Sequence, residues 1–208
     1  MTQRGRTAAV VLGGVAVFAA TGLLSFTEAF RGNGPGASAS GSASDGYSTA
    51  REGFDLPSLT GSGHIRLADH RGRPVVVNFF ASWCAYCNTE LPGFAEVARA
   101  TRGRVDFIGV QTDDPGDGPA MAQRFDLAGA GFALARDVRG EPPSGLWSAF
   151  GGQGLPVTAF YDRTGRLVEV SQGAFTRDEL VAAIRQRFGV TVTATAAPTA
   201  TAAPTAIH

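Results

Sequence analysis

The most constraining feature of this sequence is a pair of cysteines at the point where a buried strand gives way to a helix. Residues 75–80 are mostly β-branched and aromatic, and the run is short enough for a buried strand. Ala81 and Ser82 end this run, and a helix-compatible segment with Cys84 and Cys87 follows. A cysteine at a helix N-terminus favours the thiolate, because free N–H groups and the helix dipole stabilise negative charge. Cys87 lies one turn further on the same face, so the pair is predicted to be a dithiol switch.

Other uses of a cysteine pair can be weighed against this one. A structural zinc site needs four ligands, but the chain has 2 cysteines, and its 3 histidines are scattered at no ligand-like spacing. Covalent haem attachment needs histidine directly after the second cysteine, where Asn88 stands. A peroxidase of the peroxiredoxin kind would carry Pro and Thr at the positions of Val77 and Ala81. No metal or cofactor is therefore predicted. An inert structural disulfide stays open, although so short a loop restricts the unfolded chain little.

The region around the cysteines alternates strands with helices and ends in a hairpin and a helix. Strands are predicted over residues 54–59, 63–67, 75–80, 105–110, 132–135, 157–161 and 167–171. Helices are predicted from the cysteines to residue 100 and over 119–125, 146–150 and 177–188, the last with a capping box formed by Thr176 and Glu179. This order predicts an α/β sandwich with a mixed central sheet flanked by helices.

Two motifs in this order resemble a known family. Trp83-Cys84-Ala85-Tyr86-Cys87, followed by Glu90-Leu91-Pro92, resembles the membrane-tethered TlpA/ResA branch of the thioredoxin superfamily. Residues 154–165 are similar to the cis-proline loop, strand and hairpin of that family, and the similarity runs from about residue 54 to residue 188. The resemblance implies a thioredoxin-like fold, one preceding transmembrane helix, and thiol–disulfide oxidoreductase activity, with reduction of protein disulfides as the reaction.

A buried acid or base is expected beside the thiols. Asn78 stands where many cytosolic thioredoxins carry a buried aspartate, and an amide cannot titrate. Glu90 lies three residues after Cys87, on the same helix face, where partial burial would raise its pKa and let it act as acid or base. A solvated helix glutamate is the alternative. The TlpA/ResA resemblance supports the functional interpretation of Glu90.

A second set of residues is predicted to surround the cysteines and bind partner peptides. Pro156 is the expected cis-proline, because a Gly-X-Pro segment before a strand suits a tight turn. In the resembled family, the loop that contains Leu155 and Pro156 faces the cysteines and pairs with the substrate backbone. Trp83 and Tyr86 are candidates for an apolar docking rim. An ordinary trans proline and simple packing of both aromatic residues are the alternatives.

The N-terminal region is predicted to hold the protein in a membrane. Residues 8–26 form a nineteen-residue stretch with two polar side chains, and at about 1.5 Å per residue such a helix can cross a hydrocarbon core. Arg4 and Arg6, in residues 1–7, predict a cytoplasmic N-terminus and an extracytoplasmic remainder. A cleaved signal peptide is the rival interpretation. The apolar run exceeds the usual signal-peptide length, and the nearest cleavage-like site has a marginal pattern.

Composition divides the rest of the chain into three parts. Residues 27–53 are dominated by Gly, Ser and Ala, which predicts a flexible linker. Residues 54–190 have the length and the amino-acid composition of one domain with one sizeable core. Residues 191–208 repeat Ala, Thr and Pro, which predicts a disordered tail.

The charged residues exclude some classes of function. The 18 basic and 18 acidic residues cancel, and no basic run follows the linker, so no nucleic-acid partner is predicted. All 18 basic residues are arginine, which excludes lysine-dependent chemistry. His64, His70, Asp113, Asp114 and Asp117 are predicted to lie in turns as solvated or capping residues rather than as metal ligands.

These features predict a membrane-anchored thiol–disulfide oxidoreductase that works on extracytoplasmic protein thiols and disulfides. Cys84 is expected to attack a partner disulfide, and Cys87 to resolve the mixed disulfide. Ala85 and Tyr86 offer no charged or imidazole donor to a thiolate, which favours a reductant supplied by a membrane electron donor of unknown identity. The resemblance implies a role in cytochrome c maturation. The alternatives are a disulfide oxidase on the same scaffold and a non-catalytic thioredoxin-like binding module.

Overall fold

The computed structural model of the protein describes residues 50–137 and 145–192. Its strands are β1 (Asp55–Pro57), β2 (His64–Arg66), β3 (Val75–Phe80), β4 (Asp106–Gln111), β5 (Phe132–Arg136), β6 (Val157–Tyr161) and β7 (Leu167–Gln172). Its helices are a 3₁₀ helix (Leu67–His70), α1 (Ala85–Ala100), α2 (Gly118–Arg124), α3 (Leu127–Ala130), α4 (Gly145–Ala149) and α5 (Arg177–Phe188).

The main sheet of the described residues has five strands in the order β5-β4-β3-β6-β7. The pairs β3–β4 and β4–β5 are parallel, whereas β6 runs antiparallel to both β3 and β7. β1 and β2 form a separate antiparallel pair. The predicted α/β architecture with a mixed central sheet and flanking helices is confirmed.

The central strand β3 is buried along its whole length. Successive side chains of a strand point to opposite faces, so β3 contributes to two apolar cores. Val76 and Phe80 belong to the core that includes residues of α1 and α5. Val77 and Phe79 belong to the core that includes residues of β1 and the 3₁₀ helix. Packing on both faces fixes the end of β3, and with it the start of the turn that carries the cysteines.

The last helix, α5, has the predicted capping box. The Thr176 hydroxyl accepts a hydrogen bond from the Glu179 N–H at 3.3 Å, and Glu179 Oε2 accepts one from the Thr176 N–H at 2.8 Å. These contacts satisfy backbone donors that a helix N-terminus leaves free. The predicted start of α5 is therefore confirmed.

Several element boundaries differ from the predicted ones, and one helix was not predicted. β4 begins and ends one residue later than predicted, because its register is set by pairing with β3 from Val75 opposite Asp106. α2 begins at Gly118, since the Asp117 carboxylate accepts from the Ala120 N–H at 2.8 Å and acts as the N-cap. Helix α3 was not predicted, because its 4 residues are too few to show a helical period.

The prediction that both internal histidines lie in turns is wrong. His64 lies in β2 and His70 in the 3₁₀ helix. His64 Nδ1 is 2.5 Å from Asp55 Oδ1, and His70 Nδ1 is 2.8 Å from Asp106 Oδ2. Elements of three or four residues carry almost no periodic signal, so their position depends on pairing with distant strands.

The folded structure extends beyond the predicted domain start at residue 54. Residues 50–52 are helical. The Tyr161 hydroxyl donates to the Arg51 carbonyl at 2.7 Å, and the Leu167 N–H donates to Glu52 Oε1 at 2.9 Å. The end of the segment predicted as linker is therefore attached to the domain.

The predicted membrane anchor at 8–26 and the tail beyond residue 192 lie outside the described residues. Within residues 50–137 and 145–192, no helix combines the length and the apolar character needed to cross a membrane. The expectations for the two terminal segments remain predictions.

Candidate active site

The turn between β3 and α1 presents both cysteines at the start of a helix. Cys84 is the N-cap residue of α1 with an extended backbone, and its N–H donates to the Ala81 carbonyl at 3.1 Å. Its own carbonyl accepts from the Asn88 N–H at 3.2 Å, which is the first helical hydrogen bond. Cys84 Sγ accepts from the Cys87 N–H at 3.1 Å. A sulfur that accepts a backbone N–H at a helix N-terminus is well placed to carry negative charge.

The two cysteines form a disulfide in this structure. The sulfur atoms are 2.08 Å apart, and the Cα atoms of Cys84 and Cys87 are 5.3 Å apart. Cys84 is 4% exposed and Cys87 is fully buried. Cys84 is therefore the more exposed of the two residues.

Two exposed aromatic side chains lie beside the disulfide. Trp83 is 55% exposed and Tyr86 is 69% exposed. The Trp83 indole N–H donates to the Asp113 carbonyl at 2.8 Å, which orients the ring. Both predicted rim residues are thus at the surface next to Cys84, where apolar area is available to a partner.

Asp114, in the loop after β4, binds Ser82, the residue before Trp83. The sequence did not predict this contact. Asp114 accepts from the Ser82 N–H and from the Ser82 hydroxyl, both at 2.6 Å. Asp114 also accepts from the Gly116 N–H at 2.8 Å, and a Cβ at Gly116 would overlap the Ser82 hydroxyl. Of the two predicted roles for Asp114, solvated or capping, the structure agrees with capping, and the capped turn is the one that carries the cysteines. No local pattern links residues 82 and 114, so the sequence carries no signal for this contact.

Glu90 lies inside the protein, one turn after Cys87. Its side chain is 2% exposed. Glu90 Oε1 accepts from Asn78 Nδ2 at 2.7 Å, and Oε2 accepts from the Phe175 N–H at 3.0 Å. Burial raises the pKa of Glu90 from its ordinary 4.5 to about 7, and the hydrogen bonds from Phe175 and Asn78 oppose this rise. The carboxyl group can therefore gain and lose a proton near neutral pH.

Asn78 connects Glu90 to the strand beside it. Asn78 on β3 and Thr158 on β6 are cross-strand partners, and both are fully buried. Asn78 Nδ2 donates to Thr158 Oγ1 at 3.3 Å as well as to Glu90. Asn78 Oδ1 has no hydrogen-bond partner among the described residues. Asn78 and Glu90 were predicted from the sequence, whereas Thr158 was not, because only the strand pairing brings Thr158 to them.

The peptide bond between Leu155 and Pro156 is cis. It precedes β6, whose first residue, Val157, is paired with Phe79 near the end of β3. This register places the loop at the same end of the sheet as the cysteine turn. Leu155 packs against the core that contains Cys84 and Cys87. The loop also lines a shallow cavity of about 380 Å³, together with residues 151, 153, 154, 172 and 173.

The described residues hold no group of three or more His, Cys, Asp or Glu side chains arranged to bind a metal ion. His64 and His70 pair with Asp55 and Asp106, in β1 and β4, and are not brought to the cysteines. The chemistry available at the cysteine turn is therefore that of a thiol pair, a buried carboxyl group and exposed aromatic rings.

Comparison with known proteins agrees with this chemistry. The model of the AhpC/TSA family matches residues 49–170, which is more than half of the 208-residue chain. The chain belongs to the AhpC/TSA family. The matched range contains the cysteine turn, Glu90, the cis-proline loop and most of β7.

Individual relatives of this chain specify the type. The thiol-disulfide oxidoreductase ResA of Geobacillus thermodenitrificans (strain NG80-2) is 30% identical over 129 residues, which are 61% of this chain and 70% of ResA. The thiol:disulfide interchange protein DsbE of Pseudomonas fluorescens biotype C is 33% identical over 133 residues, which are 62% of this chain and 70% of DsbE. Together with the Cys84–Cys87 pair, these relatives make the chain a thiol–disulfide oxidoreductase of the ResA/DsbE type.

Among solved structures, a similar fold occurs in a secreted Mycobacterium tuberculosis disulfide oxidoreductase described as homologous to E. coli DsbE. The TM-score is 0.54 and the sequence identity is 27%, over 65% of this chain and 97% of that one. At the positions where a peroxidase of the peroxiredoxin kind would carry Pro and Thr, this chain has Val77 and Ala81.

Proposed function

We propose that the protein is a membrane-tethered, extracytoplasmic reductant of disulfide bonds in partner proteins. The observation that carries the proposal is the pairing of a helix-capping Cys84 with a buried, titratable Glu90 one turn beyond Cys87. This arrangement offers a nucleophile at a helix N-terminus and an acid or base one turn beyond its partner cysteine. The ResA and DsbE relatives support the activity class.

The first step is attack of the Cys84 thiolate on a partner disulfide. The new bond joins Cys84 Sγ to one partner sulfur, and the other partner sulfur leaves with the electron pair of the broken bond. Cys84 is suited to this role because it is the more exposed sulfur and lies at the helix N-terminus. The product is a mixed disulfide between the two proteins.

The second step is resolution of that mixed disulfide by Cys87. Glu90, as the carboxylate, takes the proton from the Cys87 thiol while Cys87 Sγ attacks Cys84 Sγ. The bond between Cys84 and the partner breaks, and the partner leaves as a thiolate that takes a proton from water. Two electrons have then moved from the protein to the partner, and the protein holds the disulfide seen in this structure.

Partner binding is assigned to the surface around Cys84. Trp83 and Tyr86 provide exposed apolar area on one side of the sulfur. Leu155 and Pro156, at the same end of the sheet, provide backbone on the other side. The resemblance to the TlpA/ResA branch supports pairing of this loop with an extended partner segment.

The reducing direction follows from the groups near the thiols. Ala85 and Tyr86 carry no positive charge that would stabilise a thiolate strongly. Glu90, when ionised, disfavours a second negative charge beside it. Both effects destabilise the reduced, thiolate-bearing state and lower the redox potential, whereas the helix dipole at Cys84 acts in the opposite sense.

The cellular placement rests on the sequence. Residues 8–26 supply the proposed membrane anchor, with the catalytic domain outside the cytoplasm and electrons delivered by a membrane donor. The TlpA/ResA resemblance supports cytochrome c maturation as the process served, with disulfide-bonded apocytochromes as the partner class. Other secreted proteins with disulfides are the wider class.

The experiment that tests the direction is equilibration of the full-length protein, in detergent, with glutathione or dithiothreitol buffers. The fraction of Cys84–Cys87 disulfide is measured by thiol alkylation. A redox potential below about −220 mV supports a reductant. A potential above about −180 mV overturns this assignment in favour of an oxidase. A protein whose cysteines do not exchange at all would support a non-catalytic binding module.

A further inference from the structure

A small polar group lies beneath the cysteines in an otherwise apolar core. Glu90 on α1, Asn78 on β3 and Thr158 on β6 are 2%, 0% and 0% exposed. Asn78 and Thr158 face each other across two antiparallel strands, so the sheet fixes both side chains relative to the helix. Buried polar groups of this kind require complete hydrogen bonding to be tolerated.

The hydrogen bonds of this group are incomplete at one atom. Asn78 Nδ2 donates to Glu90 Oε1 at 2.7 Å and to Thr158 Oγ1 at 3.3 Å. Asn78 Oδ1 accepts from no group in the described residues. A buried acceptor without a partner costs on the order of 1–3 kcal/mol. Asn78 therefore supplies a donor to Glu90 while its own acceptor has no partner among the described residues.

The two oxygens of Glu90 are not equivalent sites for a proton. Oε2 accepts from the Phe175 N–H at 3.0 Å, and a backbone N–H can only donate. Oε1, in contrast, faces Asn78, whose own oxygen Oδ1 is an acceptor without a partner among the described residues. A proton on Oε1 can therefore be given an acceptor by Asn78, and we place the proton there.

Protonation of Oε1 reverses the requirement on Asn78. The carboxyl O–H is a donor, so it conflicts with the Nδ2 group and needs an acceptor in its place. A half-turn of the amide puts Oδ1 at the position of Nδ2, where it accepts from Glu90 and from the Thr158 hydroxyl. The hydroxyl can change from acceptor to donor because it has both functions. Both protonation states then have the same number of hydrogen bonds.

We propose that Asn78 is a positioning residue for proton transfer. When Glu90 binds a proton at Oε1, the Asn78 amide rotates by a half-turn, so that its oxygen accepts a hydrogen bond from the protonated carboxyl group. The inference rests on the proposed function, in which Glu90 accepts the proton of Cys87. As Cys87 Sγ attacks Cys84 Sγ, the thiol proton is bound at Oε1 and the amide turns its oxygen to it. The electron pair of the broken Cys84–partner bond leaves with the partner sulfur.

The surroundings place few other charges near this proton. Asn78, Thr158 and the Phe175 N–H face Glu90 from β3, β6 and the segment before α5, and none of the three titrates in the working range. On α1 itself, Cys87 is the titratable group one turn away once the disulfide is reduced. The charged residue of α5 that packs against α1 is Arg177, which pairs with Glu96 at 2.8 Å.

An exchange of the two side chains tests the proposal. In the double variant Asn78→Asp/Glu90→Gln, the carboxylate and the amide swap places across the same hydrogen bond. The rate at which the reduced full-length protein reduces a disulfide-bonded peptide is measured against pH, in detergent. In the wild-type protein we expect the rate to fall as the pH drops below the pKa of the buried carboxyl group, and we call this fall the acid limb.

The single variant Glu90→Gln is expected to lose about a hundredfold in rate, at the lower end of general acid–base effects. It is also expected to lose the part of the acid limb that belongs to Glu90, which leaves only the fall set by ionisation of the Cys84 thiol. The double variant is expected to recover the acid limb and most of the rate, because a carboxylate at position 78 holds the proton at nearly the same point. A double variant as slow as Glu90→Gln, with the same residual acid limb, overturns the proposal. Circular dichroism verifies that each variant is folded.

A second measurement keeps the proposal testable if the double variant does not fold. Thr158→Val removes the hydroxyl without changing Glu90 or the cysteines. The present Asn78–Thr158 contact is long at 3.3 Å, so the hydroxyl contributes more as a donor to Oδ1 in the protonated state. The acid limb should therefore move to lower pH. An acid limb that moves to higher pH, or does not move, contradicts the proposed half-turn of the Asn78 amide.

Thr101→Val is the matched control, because Thr101 is a fully buried threonine at the far end of α1 whose hydroxyl donates to the Val97 carbonyl. It should leave the acid limb in place, and a shift equal to that of Thr158→Val would also contradict the proposal. A wild-type protein that reduces no peptide at any pH would instead refute the proposed function. Failure of the proposal on Asn78 can therefore be distinguished from failure of the proposed function.

Discussion

The buried Glu90 should make the stability of the oxidised protein depend on pH. Its pKa is raised from 4.5 to about 7 in the folded protein, mainly by burial. The folded state therefore binds the proton more tightly than the unfolded state does. Because each pKa unit corresponds to about 1.4 kcal/mol, the difference amounts to about 3 kcal/mol of unfolding free energy.

The sign of the effect follows from proton linkage. Below the unfolded pKa of 4.5, Glu90 is protonated in both states and its burial carries no charge penalty. As the pH rises from 4.5 to about 7, the unfolded state loses its proton first, and the folded state loses stability. Above this window the full cost of about 3 kcal/mol is present. The disulfide removes thiol titration from the measurement.

The assay is chemical denaturation of the oxidised wild-type protein and of Glu90→Gln between pH 4 and pH 8. The variant carries a pH-independent cost, because a glutamine amide opposes the donor of either Phe175 or Asn78. The stability of Glu90→Gln relative to wild type should nevertheless rise by about 3 kcal/mol across the range.

Glu96→Gln is the control on the same helix. Glu96 is 60% exposed. The unfolding free energy of Glu96→Gln should therefore stay within about 1 kcal/mol of the wild-type value at every pH. If the unfolding free energy of Glu90→Gln relative to wild type also does not change with pH, burial does not raise the pKa of Glu90.

Three further predictions concern the reaction and the location of the protein. Cys87→Ser should accumulate mixed disulfides through Cys84, visible on non-reducing gels, while Cys84→Ser should trap none; trapping by Cys87 would reverse the two roles. Joint truncation of Trp83 and Tyr86 to alanine should raise KM for a protein disulfide by about tenfold with a smaller change in kcat, because exposed aromatic anchors contribute one to two kcal/mol to binding. Equal activity on a protein and on a small-molecule disulfide would argue against a docking rim. The full-length protein should stay in the membrane fraction after an alkaline carbonate wash, and a soluble form that starts near residue 30 would contradict the anchor.

The local elements around the site could be predicted because their signals are local. The apolar run of β3, the break at Ala81 and Ser82, and the capping box of α5 each arise from residues within a few positions of one another. Hydrophobic period and capping chemistry act over such distances. The order of strands and helices was sufficient to predict a mixed sheet.

Short elements were predicted less well, since their position depends on partners far away in the sequence. The strand that contains His64 was predicted over residues 63–67 but spans only the three residues that pair with β1, and β4 is shifted by one residue because it pairs with β3. A strand of three residues has too few side chains for alternation to be visible.

The sequence by itself determined that Cys84 lies at a helix N-terminus and that Glu90 shares the face of Cys87, because helical spacing places residues three apart on one side. Only the tertiary structure decided that Asn78 on β3 and Thr158 on β6 meet Glu90, and that Asp114 holds Ser82. These contacts join residues 12 to 80 positions apart. Burial, and with it the raised pKa of Glu90, comes from the packing of α1 against the sheet and α5. The environment of a side chain depends on all the elements packed around it, so it cannot be predicted from one segment of the sequence alone.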